Sequence, residues 1–148
     1  MTIKHMMELL VRRGVVFVPP KATVWEADFI LRLKSVGTVL VMDGANGEVF
    51  LGIVSEQDFA YFLLSEKPAR TIPVTKIMTP AEKVKFATPD TTRQQCLALM
   101  LMYGVQHLPL LVDGKVVGLV SIRDLAFDLG NILEEKHLEW EGYLHSAS

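Results

Sequence analysis

"GLVSIRD" at residues 118–124 and "GIVSEQD" at residues 52–58 are two spellings of one heptapeptide, in which a glycine leads through an apolar pair into Ser-x-x-Asp. They lie 66 residues apart, which aligns Ser121 on Ser55 and Asp124 on Asp58. Self-similarity over such a distance marks a structural unit used twice. The likeness extends outward on both sides. "PPKATVWE" (19–26) matches "TPDTTRQQ" (88–95) at an offset of 69, pairing Pro20 with Pro89 and Thr23 with Thr92, and "TVLVMDG" (38–44) matches "LPLLVDG" (108–114) at an offset of 70. The drift in offset reflects small insertions, chiefly the longer turn of "DGANGEVFLG" compared with "DGKVVG". Turn tips are where insertions are tolerated.

Each copy spells the same succession of elements. In copy two, "VKFATP" predicts a short strand stopped at Pro89. "TTRQQCLALMLMYG" predicts a helix whose Thr92 and Gln95 have capping-box spacing, ending near Gly104. "LPLLVDGKVVGLVS" places two β-rich runs around Asp113-Gly114, a strong hairpin signal, and a second helix follows from Ser121. Copy one repeats the order, with Thr23 and Glu26 at the cap and "EQDFAYFLL" as its second helix. Each small sheet has an apolar surface it cannot cover alone, so two α+β halves packed face to face are expected. The domain boundaries predicted are an N-terminal helix and first repeat over 1–65, a Pro-containing linker over 66–78, a second repeat over 79–130, and a C-terminal helical extension over 131–148. The apolar residues of that extension exceed the needs of a small domain, which points to a partner subunit.

Composition narrows the function classes. The chain has 148 residues, half of them hydrophobic, and a net charge of −2. It is too apolar for disorder, and no run reaches the ~18 uncharged apolar residues of a membrane helix. The opening "MTIKHMMELLVRRG" mixes charge with apolar residues, unlike a secretory signal, so a cytoplasmic protein is expected. The acidic balance gives no general attraction for nucleic acid. The single Cys96 lies on an apolar helical face with Leu99, Met100 and Tyr103, which reads as packing. His137 and His145 lack the clustering of a metal site, and no nucleophile–base or acid–base constellation is evident, so neither a metal nor a catalytic residue is assigned.

The runs "TKIMTP", "VKFATPDTT" and "HLPLLVDGKVVGLVSIRDL" resemble the cystathionine β-synthase (CBS) domain, and two copies in tandem resemble a CBS pair, or Bateman module, over roughly residues 3–130. Copy two is the closer match. Copy one has Pro19 in place of Thr88, and Gly37-Thr38-Val39 in place of His107-Leu108-Pro109. The resemblance implies two βαββα repeats packed face to face with pseudo-two-fold symmetry, association into flat homodimers of four motifs, and adenosine-containing ligands bound in clefts between the halves. It also implies a stand-alone sensor that is not an enzyme and carries no prosthetic group. The ligand expected is AMP, ADP or ATP, with or without Mg²⁺, and a regulated partner protein would read the bound state.

In that family the matching Asp grips the ribose. The resemblance carries this role to Asp124, and secondarily to Asp58. The chemistry suits it, because an ionised carboxylate only accepts and its two oxygens match the two hydroxyls of a ribose diol. Ser121 and Ser55 would add hydroxyl donors beside the free N–H groups of a helix start, and Arg123 a forked phosphate donor. The resemblance brings Thr88 and His107-Leu108-Pro109 to the same cleft: Thr88 and His107 as polar contacts, Leu108 against the base, and Pro109 where the chain presents carbonyls. Lys76, Ile77 and Met78 supply a wall with one cation. A structural reading stands beside each role. Ser-x-x-Asp is also how a helix start satisfies its own N–H groups, at ~1 kcal/mol for the cap. Thr88 can simply end a strand, Pro109 can mark a sheet edge, and His107 and Met78 can be packing. The sensor reading requires the Asp124 carboxylate to face a cleft shared by the two halves. The competing reading is a ligand-free dimerisation scaffold.

Overall fold

The computed structural model describes residues 1–130. The predicted extension over 131–148, with His137 and His145, lies outside the described residues. The chain opens with a single 3₁₀ turn, Lys4–Met6, running into α1 (Met7–Arg13). Repeat one follows as β1 (Phe17–Val18), α2 (Val24–Lys34), β2 (Thr38–Asp43), β3 (Val49–Ser55) and α3 (Glu56–Leu64). After the linker and a 3₁₀ turn at Val74–Lys76 comes β4 (Thr79–Pro80). Repeat two continues with α4 (Arg93–Tyr103), β5 (His107–Val112), β6 (Lys115–Ser121) and α5 over residues 122–130.

The predicted local signals appear as hydrogen bonds. At α4 the box is reciprocal: Gln95 N–H donates to Thr92 Oγ1 at 3.0 Å, and Thr92 N–H to Gln95 Oε1 at 2.9 Å. At α2 half of it forms, Glu26 N–H donating to Thr23 Oγ1 at 3.1 Å. The β5–β6 hairpin turns at Asp113 and Gly114, both with positive φ (51° and 78°), as a two-residue turn matched to strand twist demands.

The first sheet has the order β1-β2-β3-β4, with β1 parallel to β2 and the other pairs antiparallel. The two hairpins share a register, Thr38 opposite Ser55 in one and His107 opposite Ser121 in the other. The strand expected from "VKFATP" is not formed as such. It is reduced to a parallel bridge, Ala87 N–H donating to the Pro109 carbonyl at 2.9 Å and Leu111 N–H to the Ala87 carbonyl at 2.8 Å. Phe86 departs from that ladder to meet the Phe50 ring of repeat one edge-on, centroids 5.5 Å apart.

Each repeat completes its core with the segment that leads into the other. The first core gathers Val18, Leu31, Val39, Val54, Phe59 and Phe62 with Val74, which precedes repeat two. The second gathers Cys96, Met100, Leu108, Leu110 and Val120 with Ile3, Met6 and Leu10, which precede repeat one. The exchange explains the glycine that opens each heptapeptide. A Cβ on Gly52 would lie 2.6 Å from the Thr79 carbonyl oxygen, and one on Gly118 would lie 2.9 Å from the Leu10 carbonyl oxygen. The foreign backbone crosses each sheet at its glycine, and a methyl group there would meet main chain that cannot rotate away.

Candidate functional site: two unequal carboxylates

Both Ser-x-x-Asp segments sit at a strand-to-helix junction and form the same capping box. Asp58 Oδ2 accepts from Ser55 N–H at 2.8 Å, and Asp124 Oδ2 accepts from Ser121 N–H at 2.8 Å. In return Asp58 N–H donates to Ser55 Oγ at 3.4 Å, and Asp124 N–H to Ser121 Oγ at 3.0 Å. The two halves part at the remaining carboxylate oxygen.

Asp58 Oδ1 has no hydrogen-bond partner among the described residues. Asp58 lines a cavity of about 650 Å³, within the range of small-molecule sites. One wall is α3 and its end, with Asp58, Tyr61 and Ser65; the other is the linker and the 3₁₀ turn, with Lys67, Ile72, Lys76 and Ile77. Tyr61 is 80% exposed, so its ring face is available. The cavity thus joins an acceptor oxygen, an aromatic plane, two ammonium groups and apolar cover.

Asp124 is held differently. Arg13, the last residue of α1, donates from Nη1 to Asp124 Oδ1 at 2.9 Å and from Nη2 to Oδ2 at 2.8 Å. The carboxylate is turned to its own main chain and to this fork, with its side chain 12% exposed. Burial works to raise its pKa, but the Arg13 guanidinium and the Ser121 N–H outweigh burial and hold it below the usual carboxylate value.

The residues assigned from the sequence therefore divide. Lys76 and Ile77 come to Asp58, not to Asp124, because they belong to the exchanged segment. Met78 packs into the first core, its Sδ 2.6 Å from where a Gly52 Cβ would stand. Leu108 is buried in the second core, and the Pro109 carbonyl is taken by Ala87. Thr88 closes a local turn, its N–H donating to Thr91 Oγ1 at 2.9 Å. Arg123 is exposed. His107 lies between the repeats, sharing a 3.0 Å hydrogen bond through Nδ1 with Thr38 Oγ1. Its ring faces Gly37, the residue at its own position in copy one, where a Cβ would stand 3.3 Å from His107 Cε1. Burial depresses the His107 pKa more than the nearby Asp124 and Glu56 carboxylates raise it.

Sequence reading missed Tyr61, Lys67 and Arg13. Tyr61 and Lys67 carry no motif. Arg13 had a faint signal, a basic pair closing the first helix before Gly14, but nothing in the order of residues said which half that helix joins.

Cys96 is buried, and burial pushes its thiol pKa up. Among the described residues no three His, Cys, Asp or Glu side chains gather as metal ligands, and no helix is long and apolar enough to cross a membrane.

Comparison with known proteins agrees with this architecture. The CBS domain family matches the chain twice, at residues 4–65 and 74–130. An uncharacterised 17.7 kDa protein of Acidianus ambivalens is 38% identical over 115 residues, which is 76% of this chain and 65% of that protein. The chain spans less than two thirds of the length of the curated relatives it matches first. A crystal structure of a CBS domain protein is 35% identical, with a TM-score of 0.75 over 87% of this chain and 97% of the other. A CBS domain protein of Pyrobaculum aerophilum, complexed with AMP, shares the fold at 24% identity and a TM-score of 0.76, over 90% of this chain and 97% of the other. The exchanged lead-in segments, the paired heptapeptides and these matches lead to one assignment: the chain belongs to the CBS domain family, as a tandem pair.

Proposed function

We propose that this CBS pair is a regulatory module that binds an adenosine-containing nucleotide, and that its site is the Asp58 cleft. The observation that carries the reading is the free Asp58 Oδ1 in a cavity that also holds Lys67 and Lys76. A carboxylate accepts from both hydroxyls of a ribose diol, the ammonium groups neutralise phosphate, and Tyr61 with Ile77 covers a base. The AMP complex of a protein of the same fold supports the ligand class. The condition set for Asp124 is not met, since its carboxylate is turned to Ser121 N–H and to Arg13, and the reading rests on its counterpart Asp58, in the half where the family resemblance is weaker.

The cleft has one wall on α3 of repeat one and the other on the segment that leads into repeat two. A nucleotide between them ties the segment that leads into repeat two against α3, and can shift the setting of the halves only through that segment and only as far as its affinity differs between settings. A partner protein that reads that setting completes the regulatory function, and no catalytic step is required.

Titration calorimetry and thermal shift with AMP, ADP and ATP, with and without Mg²⁺, test the reading. Binding should raise the melting temperature by mass action, with about 2.7 kcal/mol of added stability at a hundredfold excess over Kd. Asp58→Asn keeps a capping oxygen but loses the charge, and should weaken binding at least tenfold. No heat and no thermal shift with any of the three overturns the sensor.

The ligand-free homodimeric scaffold is the second reading, favoured by exposed Leu64, Leu101, Met102 and Phe127. Sedimentation of the nucleotide-free protein tests it, with a monomer at micromolar concentration counting against it.

A further inference from the structure

We infer that Arg13 is a built-in occupant of the second site, sealing Asp124 so that the pair takes one nucleotide per chain. The inference rests on the proposal that the Ser-x-x-Asp carboxylate receives a ribose diol. A diol offers a carboxylate two O–H donors side by side, and a guanidinium offers two N–H donors in a planar fork with the same demand. Arg13 meets both Asp124 oxygens in that way, at 2.9 and 2.8 Å. Ligand and side chain compete for the same two acceptors.

The competitor is anchored. Leu10, one turn before Arg13, has no exposed surface in the second core. The α1 backbone crosses at Gly118, and Ile3 N–H donates to the Thr91 carbonyl at 2.9 Å. Further back, His5 Nε2 lies 2.7 Å from Asp128 Oδ1, while Arg93 Nη2 donates to Asp128 Oδ2 at 2.6 Å. Four separate attachments hold the segment, so Arg13 faces Asp124 at an effective concentration that free nucleotide does not match. In repeat one the equivalent lead-in arrives as Val74–Lys76 followed by β4, and Asp58 keeps an open oxygen.

Calorimetry with AMP on the full chain decides the matter. The wild type should bind one AMP per chain, with at least tenfold weaker binding in Asp58→Asn. Arg13→Met, which keeps the stem packed but removes the fork, should bind two. The double variant, Arg13→Met with Asp58→Asn, should bind one, now at Asp124. If Arg13→Met does not fold, Arg13→Gln takes its place, with circular dichroism confirming the native state. Two AMP per wild-type chain, or one that survives Asp58→Asn and is lost in Asp124→Asn, overturns the seal and leaves nucleotide binding standing. A stoichiometry of one in both wild type and Arg13→Met does the same. Binding by none of the variants overturns the nucleotide reading and the seal with it.

Discussion

Asp58 and Asp124 begin from the same heptapeptide, the same strand-to-helix junction and the same cap, yet one keeps a free oxygen beside a cavity and the other is locked by an arginine. The capping residues themselves do not make the difference. It comes largely from what the exchanged segment brings: a 3₁₀ turn and short strand carrying Lys76 to the first repeat, and the seven-residue α1 carrying Arg13 to the second. A duplicated fold can thus keep two copies of a motif and change the chemistry of one by altering the segment packed across it.

That comparison breaks most readily where the segments cross. Gly52→Ala would place a methyl group 2.6 Å from both Thr79 O and Met78 Sδ, while Gly118→Ala would face Leu10 O at 2.9 Å. Forced overpacking of this kind costs ~1–3 kcal/mol, so Gly52→Ala should lie near the top of that range and Gly118→Ala lower. Chemical denaturation at unchanged m-value is the measurement. A Gly52→Ala midpoint equal to wild type would show that the crossing is not the tight one described.

The Arg13–Asp124 ion pair gives the next effect. Asp124 has a folded-state pKa below its unfolded value of about 3.9. The pair's contribution is therefore fully present above that value and is lost as pH falls through the folded-state pKa. The Arg13 side chain is half exposed, which limits the contribution to about 1 kcal/mol. Melting curves from pH 2 to 8 should show Arg13→Met less stable than wild type at pH 7 and converging with it in acid. Curves that stay parallel to the lowest pH would show that the pair is not what titrates.

Much of this was legible. The offset of 66 residues, the Thr92–Gln95 box and the Asp113-Gly114 turn rest on local spacing, and local spacing is what a sequence displays. The exchange of lead-in segments was not legible, because Ile3, Leu10 and Val74 are apolar residues whose types carry no label of the half they join. That one long-range choice decided the site: it sent Lys76 and Ile77 to Asp58 and put Arg13 on Asp124. The strand over "VKFATP" is reduced to a bridge at Ala87, with Phe86 against Phe50 of the other repeat, a long-range contact that local spacing does not display.

The smallest effect separates the repeats at their first helices. Thr92 both accepts from Gln95 and has its own N–H satisfied in return, whereas Thr23 only accepts from Glu26. Removing an N-cap hydroxyl costs ~1 kcal/mol, and in repeat two the loss also loosens the Gln95 side chain that caps the Thr92 N–H. Thr92→Ala should therefore destabilise by about 1 kcal/mol and Thr23→Ala by somewhat less. Hydrogen exchange localises the two losses, with faster exchange at the first turn of α4 in one variant and of α2 in the other. Equal losses would mean that the reciprocal bond adds nothing, and that the repeats differ only where the exchanged segments touch them.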